Sequence, residues 1–136
     1  MIAEAIMLWL KAESTITALV GSRIYFVEAP QLTAQGTDPY IVFNQVGIDF
    51  DYTHGGGASV AHARYQFNIM GKTFAEVKGI SQAILALFLP YNKPTVQKMG
   101  NKVWVQTIDV ENEMDGKDDV TGSYFVVVDA VFNYVL

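Results

Sequence analysis

The segment from His62 to Met70 constrains the fold more than any other stretch. Ala63, Tyr65, Phe67 and Ile69 alternate with His62, Arg64, Gln66 and Asn68, a period of two residues that a pleated strand requires and a helix cannot use. One face of this strand packs, and the other is wet or meets a partner. Such a strand needs a sheet around it and an apolar layer on its packed face. The next residues supply that layer. Thr73 and Glu76 form a capping box, in which hydroxyl and carboxylate each satisfy an orphan backbone donor. Behind them Phe74, Val77, Ile80, Ile84, Leu87 and Phe88 recur at helical spacing. The pattern predicts a helix of about 16 residues, roughly 24 Å long, lying on the sheet and ended by Pro90.

Ile2 to Ala12 also reads as a helix, with Ile2, Ile6, Trp9 and Leu10 on one face and Glu4 and Lys11 on the other. Its apolar stripe is too wide for a simple surface helix, because Met7 and Leu8 lie near the polar side; they are candidates for a helix interface. "STITALVGSR" predicts one or two helical turns closed by Gly21, then a strand over 23–27. "PQLTAQGTDP", residues 30–39, reads as loop, and Tyr40 to Val46 as a strand. Residues 47–61 are expected to form a long flexible strand-to-strand loop, and "PYNKPTVQKMGN" a second irregular stretch. Lys102 to about Met114 and Ser123 to Val135 predict two long antiparallel strands joined by "DGKDDVTG", whose Asp-Gly and Thr-Gly pairs are turn chemistry. The expected fold class is α+β: a mostly antiparallel β-sheet with two main helices packed on it, in a single domain over residues 1–136.

Composition narrows the function. The chain is 51% hydrophobic and only 17% charged, which supplies one good core and suggests surface hidden in an assembly. Fourteen acids against nine bases leave a net charge of -5, which argues against specific nucleic-acid binding. Without cysteine there is no disulfide, thiolate metal site or thiol nucleophile. The apolar N-terminus carries Glu4 and has neither a basic leader nor a cleavage pattern, and the stretch from Gly79 to Asn92 is too short to span a bilayer; no membrane partner is expected.

His54-Gly55-Gly56-Gly57 is the first candidate site. A phosphate cradle needs glycines that lead into a helix, whereas these lead into a strand. A metal site would draw on Asp49, Asp51, His54 and His62, but three glycines cannot hold converging ligands unaided. The stronger reading is a partner-contact or oligomer-contact loop, with Phe50 and Tyr52 as aromatic anchors and His54 as a passenger. The second candidate is "DVENEMDGKDD". On a continuous strand Asp109, Glu111, Glu113 and Asp115 would alternate onto one face as an acidic strip. No nucleophile elbow or calcium-loop spacing accompanies them, so no enzyme activity, catalytic residue, cofactor or metal is expected.

Taken in order, "ITALVGSRIYFVEAPQ", "DPYIVFNQVG", "ARYQFNIMGKTFAEVKGISQAI" and "GSYFVVVDAVFNY" resemble the tail completion, or tail terminator, family of long-tailed bacteriophages. The likeness runs from about Ile2 to Tyr134, and its specificity lies in order and spacing. The sequence departs from the family pattern at Phe125, where a charged residue is common, and in the length of the glycine-rich loop. The resemblance implies a structural virion assembly protein. It would cap the tail tube as a homo-oligomeric ring, typically a hexamer, stop polymerisation and join tail to head. Its partners would be the tail tube protein and a head-completion or connector protein, its place the head-tail interface of the virion, and the host cytoplasm during assembly. The acidic residues would then contribute to a lumen wall that repels passing DNA. The alternatives are a head-closure or connector protein of the same particle and, more remotely, a small metal-dependent enzyme or ligand-binding domain.

Overall fold

A computed structural model describes residues 2–30, 38–91, 97–99 and 103–136. Two helices open the chain, α1 (Ile2–Ala12) and α2 (Ser14–Val20), followed by strands β1 (Ile24–Phe26), β2 (Tyr40–Tyr52) and β3 (Ala58–Gly71). Then come α3 (Phe74–Phe88), a short 3-10 turn (Leu89–Tyr91), and strands β4 (Gln97–Met99), β5 (Val103–Lys117) and β6 (Tyr124–Val135). The strands form one sheet in the order β1-β2-β3-β6-β5-β4, antiparallel except for the β1-β2 pair. The fold is α+β, as expected.

The alternation of β3 decides which face is covered. Ala63, Tyr65, Phe67 and Ile69 are buried, and their cross-strand partners on β6, Phe132, Ala130, Val128 and Val126, share that face and are buried too. Against them lie Val77, Ile80, Ile84 and Phe88 of α3, with Ile6 and Leu10 of α1. Phe67 sits at the centre, its ring 5.4 Å from Phe43, 5.2 Å from Phe88 and 6.1 Å from Phe132. Each such buried side chain contributes roughly 1.5–3 kcal/mol. Trp9, read as part of the apolar face of α1, stacks on Phe88 at 5.6 Å.

Local signals set the helix ends. The Thr73 hydroxyl accepts from the Glu76 N–H and donates to the Glu76 carboxylate, so the cap forms with the carboxylate on the hydroxyl. The Gly21 N–H returns to the Thr17 carbonyl and closes α2.

Three expectations change. The predicted loop over 47–61 is mostly hairpin: β2 runs to Tyr52 and β3 starts at Ala58, because β3 is paired with β6 from Val60 to Gly71 and offers β2 a template. Within "PYNKPTVQKMGN", Gln97–Met99 pairs with Val103–Val105 as an edge strand; much of that stretch, and most of the 30–39 loop, lies outside the described residues. Asp115-Gly116 belongs to β5 rather than to a turn. The Phe125 ring lies over Gly116, where an added Cβ would come within 2.3 Å of it, so the glycine seats the aromatic ring. The turn itself is Asp118–Ser123, in which the Asp118 carboxylate accepts from the Val120 N–H.

Candidate functional site

All three helices pack on one face of the sheet, so the opposite face and the two outer edges are what the molecule can offer a partner. On the helix-free face a polar network crosses four strands. Asn133 on β6 spends its amide nitrogen on Asp109 Oδ2 at 2.8 Å and Thr107 Oγ1 at 2.7 Å, both on β5. Its amide oxygen therefore faces His62 Nδ1 on β3. The other ring nitrogen, Nε2, lies 2.8 Å from Asp51 Oδ2 on β2. Both imidazole nitrogens thus meet acceptors, an arrangement that favours the doubly protonated ring. The hydrogen bond to Asn133, then that to Asp51, raises the His62 pKa above its ordinary value. Beside this network an open trough is lined by Val46, Gly47, Ile48, Asp49, His62, Arg64 and Val131.

The proposed metal ligands do not come together as a set. Asp49 sits opposite His62 in the β2-β3 register and Asp51 bonds it, but His54 is at the exposed hairpin tip. Among the described residues no group of three or more His, Cys, Asp or Glu is placed to hold a metal ion. The tip is a tight turn: the Gly56 N–H donates to the Thr53 carbonyl at 3.0 Å, and the Thr53 N–H to the Gly57 carbonyl at 2.8 Å. Gly56 has φ 89, the left-handed region that an L side chain enters only with strain. Phe50 and Tyr52 are 42% and 71% exposed at the end of β2.

The acidic residues do not share a face. Asp109 pairs with Val131 on the helix-free side, then the register shifts between Val110 and Asn112, leaving Glu111 as the extra residue of a bulge. A single inserted residue reverses the alternation. Glu113 therefore pairs with Val128, and Asp115 with Val126, on the helix side. There Lys78 of α3 lies 2.5 Å from Glu113 and 3.3 Å from Asp115, and the buried Ser81 hydroxyl donates to Glu113 at 2.5 Å. The bond from Lys78, with that from Ser81, lowers the Glu113 pKa. Of the two helix candidates, Met7 is half-buried against the core while Leu8 is 46% exposed.

Sequence reading missed Asn133, which joins the network from 71 residues away, and also Lys78 and Ser81. It named Phe50 and Tyr52 but missed the rest of what the edges carry. Outside the helices, turns and C-terminus, the exposed large apolar side chains are Phe26, Val27, Val46, Phe50 and Tyr52 at the β1-β2 edge, and Trp104 and Met114 at the β5 edge. Val27, just past β1, has φ 72, strained for a β-branched residue.

A family model described as "Tail completion protein gp17" matches residues 4–129. A solved chain from the virion of a native gene transfer agent particle aligns over 97% of this chain and 92% of its own, with TM-score 0.68 and 16% identity. A second solved chain aligns over 98% and 95%, with TM-score 0.55 and 12% identity. At such identities the likeness is one of fold. No curated protein matches the chain in sequence. Among the described residues, no helix is long and apolar enough to cross a membrane.

Proposed function

The chain belongs to the tail completion protein family of bacteriophages, and from that premise we propose that it caps the tail tube as a closed ring, a hexamer, that stops tube polymerisation and joins tail to head. Membership supports a structural role in tail assembly. The virion origin of the similar solved chain supports a place in the finished particle, at the head-tail interface, after assembly in the host cytoplasm.

The observation that carries the ring reading is the placement of exposed apolar side chains on both outer edges of one sheet. A soluble monomer gains nothing from such edges, whereas a ring buries one edge of each subunit against the other edge of the next. Phe50, Tyr52 and the tip His54-Gly55-Gly56-Gly57, exposed at the end of the β2-β3 hairpin, are the contact to tube or neighbour. Leu8, exposed on α1, is available on the opposite layer. Asp49, Asp51, Asp109 and Asp129 lie on the helix-free face and outnumber its bases His62 and Arg64, a balance that suits a wall past which DNA slides without sticking. Glu113 and Asp115 are engaged by α3 and leave that role.

Light scattering of the protein alone and with polymerised tail tubes, paired with electron microscopy of tube ends, tests the reading. Rings, or density capping one tube end, are the expected result. A monomer that ignores tube ends overturns it and favours the connector alternative.

A further inference from the structure

The sheet is stepped at both edges. β1 covers β2 only at Ile41–Phe43, and β4 covers β5 only at Val103–Val105. Among the described residues the rest of β2, from Asn44 to Tyr52, and the rest of β5, from Gln106 to Lys117, have no strand on their outer side. The two short strands lie at opposite ends of the sheet. Following the register across it shows how they relate. One row runs Tyr25, Val42, Asn68, Val127, Met114, and another runs Asp51, Val60, Val135, Trp104, Lys98. Each row crosses five strands. Placing a second copy at the same height, five strands along, therefore sets β4 of the first copy beside the bare end of β2 in the second. The same shift sets β1 of the second copy beside the bare end of β5 in the first.

We propose that neighbouring subunits join through this lap joint, each short edge strand entering the step in the other copy's sheet at its far end, with Lys98 of one copy facing Asp51 of the next. The inference rests on the ring reading and specifies how the ring closes. Three observations favour it. First, one translation satisfies both rows, and no copy moves along the strand direction, so the contact repeats on a level and can close. Second, the upper row starts with an acid and ends with a base. Lys98, exposed and held over the Trp104 ring at 5.5 Å, meets an exposed aspartate. Third, the joint collects Phe26, Val27, Val46, Phe50 and Tyr52 from one edge with Trp104 and Met114 from the other.

The competing arrangement pairs the two bare edges directly, β2 on β5. It faces Asp49 and Asp51 towards the strand carrying Asp109, Glu111, Glu113 and Asp115, a like-charge contact. It also displaces each copy along the strands, because at equal height β4 and β1 already occupy the places that the incoming β2 and β5 would take, and so winds an open helix instead of a ring.

The chain has no cysteine, so introduced thiols report without background. In Tyr25→Cys/Met114→Cys the two positions lie four strand spacings apart within one copy, about 19 Å, beyond disulfide reach. Any bridge must link copies. On tail tubes under mild oxidation this variant is expected to give a ladder of covalent oligomers. Val46→Cys/Met114→Cys, which reports the direct pairing of bare edges, gives none. Lys98→Glu lowers the capped fraction severalfold at low salt, and adding Asp51→Lys restores it. Capped tubes with a ladder from Val46→Cys/Met114→Cys and none from Tyr25→Cys/Met114→Cys overturn the joint while leaving the ring. Capped tubes on which neither variant ladders, or on which Asp51→Lys fails to restore the Lys98→Glu loss, also overturn it. Absence of rings and caps from the unmodified protein removes the ring reading, and the joint with it.

Discussion

The two ends of the sheet neutralise their acids in opposite ways. At the β5-β6 end, Glu113 and Asp115 turn towards α3, where a lysine and a buried hydroxyl take them up. At the opposite end, which carries the β2-β3 hairpin tip, Asp51 stays on the helix-free face and is tied through His62 and Asn133 to Asp109 on β5. Lysine keeps its charge across the working pH range, whereas imidazole changes charge near neutrality. One end is therefore held by a permanent cation and the other by a proton that can leave. The lesson is that an acidic residue's consequence depends on the parity of its strand: one bulge at Glu111 sends Asp109 to the open face and Glu113 to the helix.

The largest test asks whether the ends share a core. Phe67→Ala removes the ring at the meeting point of Phe43, Phe88 and Phe132, and is expected to cost about 3–5 kcal/mol in chemical denaturation. Amide protection should fall at both ends together. Loss confined to one end would show that each rests on its own packing.

Glu113→Ala probes the helix-covered end alone. It strips the buried Ser81 hydroxyl of its acceptor, and the expected loss is about 1–2 kcal/mol, with a smaller loss in Glu113→Gln. The Glu113 pKa is lowered on folding, so the contribution is present above the ordinary value of 4.5 and disappears as pH falls through the lower folded value. An acid titration of stability should be shallower in Glu113→Ala than in the parent. Equal slopes would mean that another carboxylate sets the acid limb.

These couplings also mark where sequence reading reaches and where it stops. Strand β3 and helix α3 are legible because their periodicity is long and uninterrupted, and Thr73 and Glu76 announce the helix start. Strand β4 is not: three residues between proline, asparagine and glycine acquire strand geometry only by pairing with Val103–Val105. The glycines after His54 look like a long loop because nothing local says that β3, fixed by β6, will draw residues 47–52 into register. Phe50 and Tyr52, the expected anchors, are identifiable by type and stand exposed. The acidic strip fails because a bulge is chosen by the partner strand, with no mark in "DVENEMDG" itself. The His62 network is invisible for a simpler reason: Asn133 is distant in sequence and shares only a row of the sheet.

Gly56→Ala is the next smaller perturbation. At φ 89 with no atom near the added methyl, its cost is backbone strain alone, about 1 kcal/mol, confined to the β2-β3 tip. Hydrogen exchange should speed up at the two amides that close the turn, Thr53 and residue 56, while α3 and the β5-β6 end keep their protection. Spread to those elements would mean that the hairpin is coupled to the core more tightly than its exposure implies.

The smallest effect is the one that separates the two ends most sharply. The His62 pKa is raised by bonds to Asn133 and Asp51, with Asp49 adding further negative charge. A group whose folded pKa is raised contributes fully below its ordinary value of 6.5, and the contribution is lost as pH rises through the higher folded value. The β2-β3 end should therefore loosen as pH climbs through and above neutrality, opposite in sign and range to the Glu113 effect. Because His62 is partly solvent-exposed, the change belongs in local opening more than in the global midpoint. Exchange at Asp49–Tyr52 and Val60–His62, corrected for intrinsic rates and compared between about pH 6 and pH 8, should rise in the parent and stay flat in His62→Gln. Glutamine can still bond Asn133 or Asp51 but carries no proton to lose. Matching profiles in the two proteins would show that hydrogen bonding alone, without the imidazolium charge, holds Asp51 and Asp109 together.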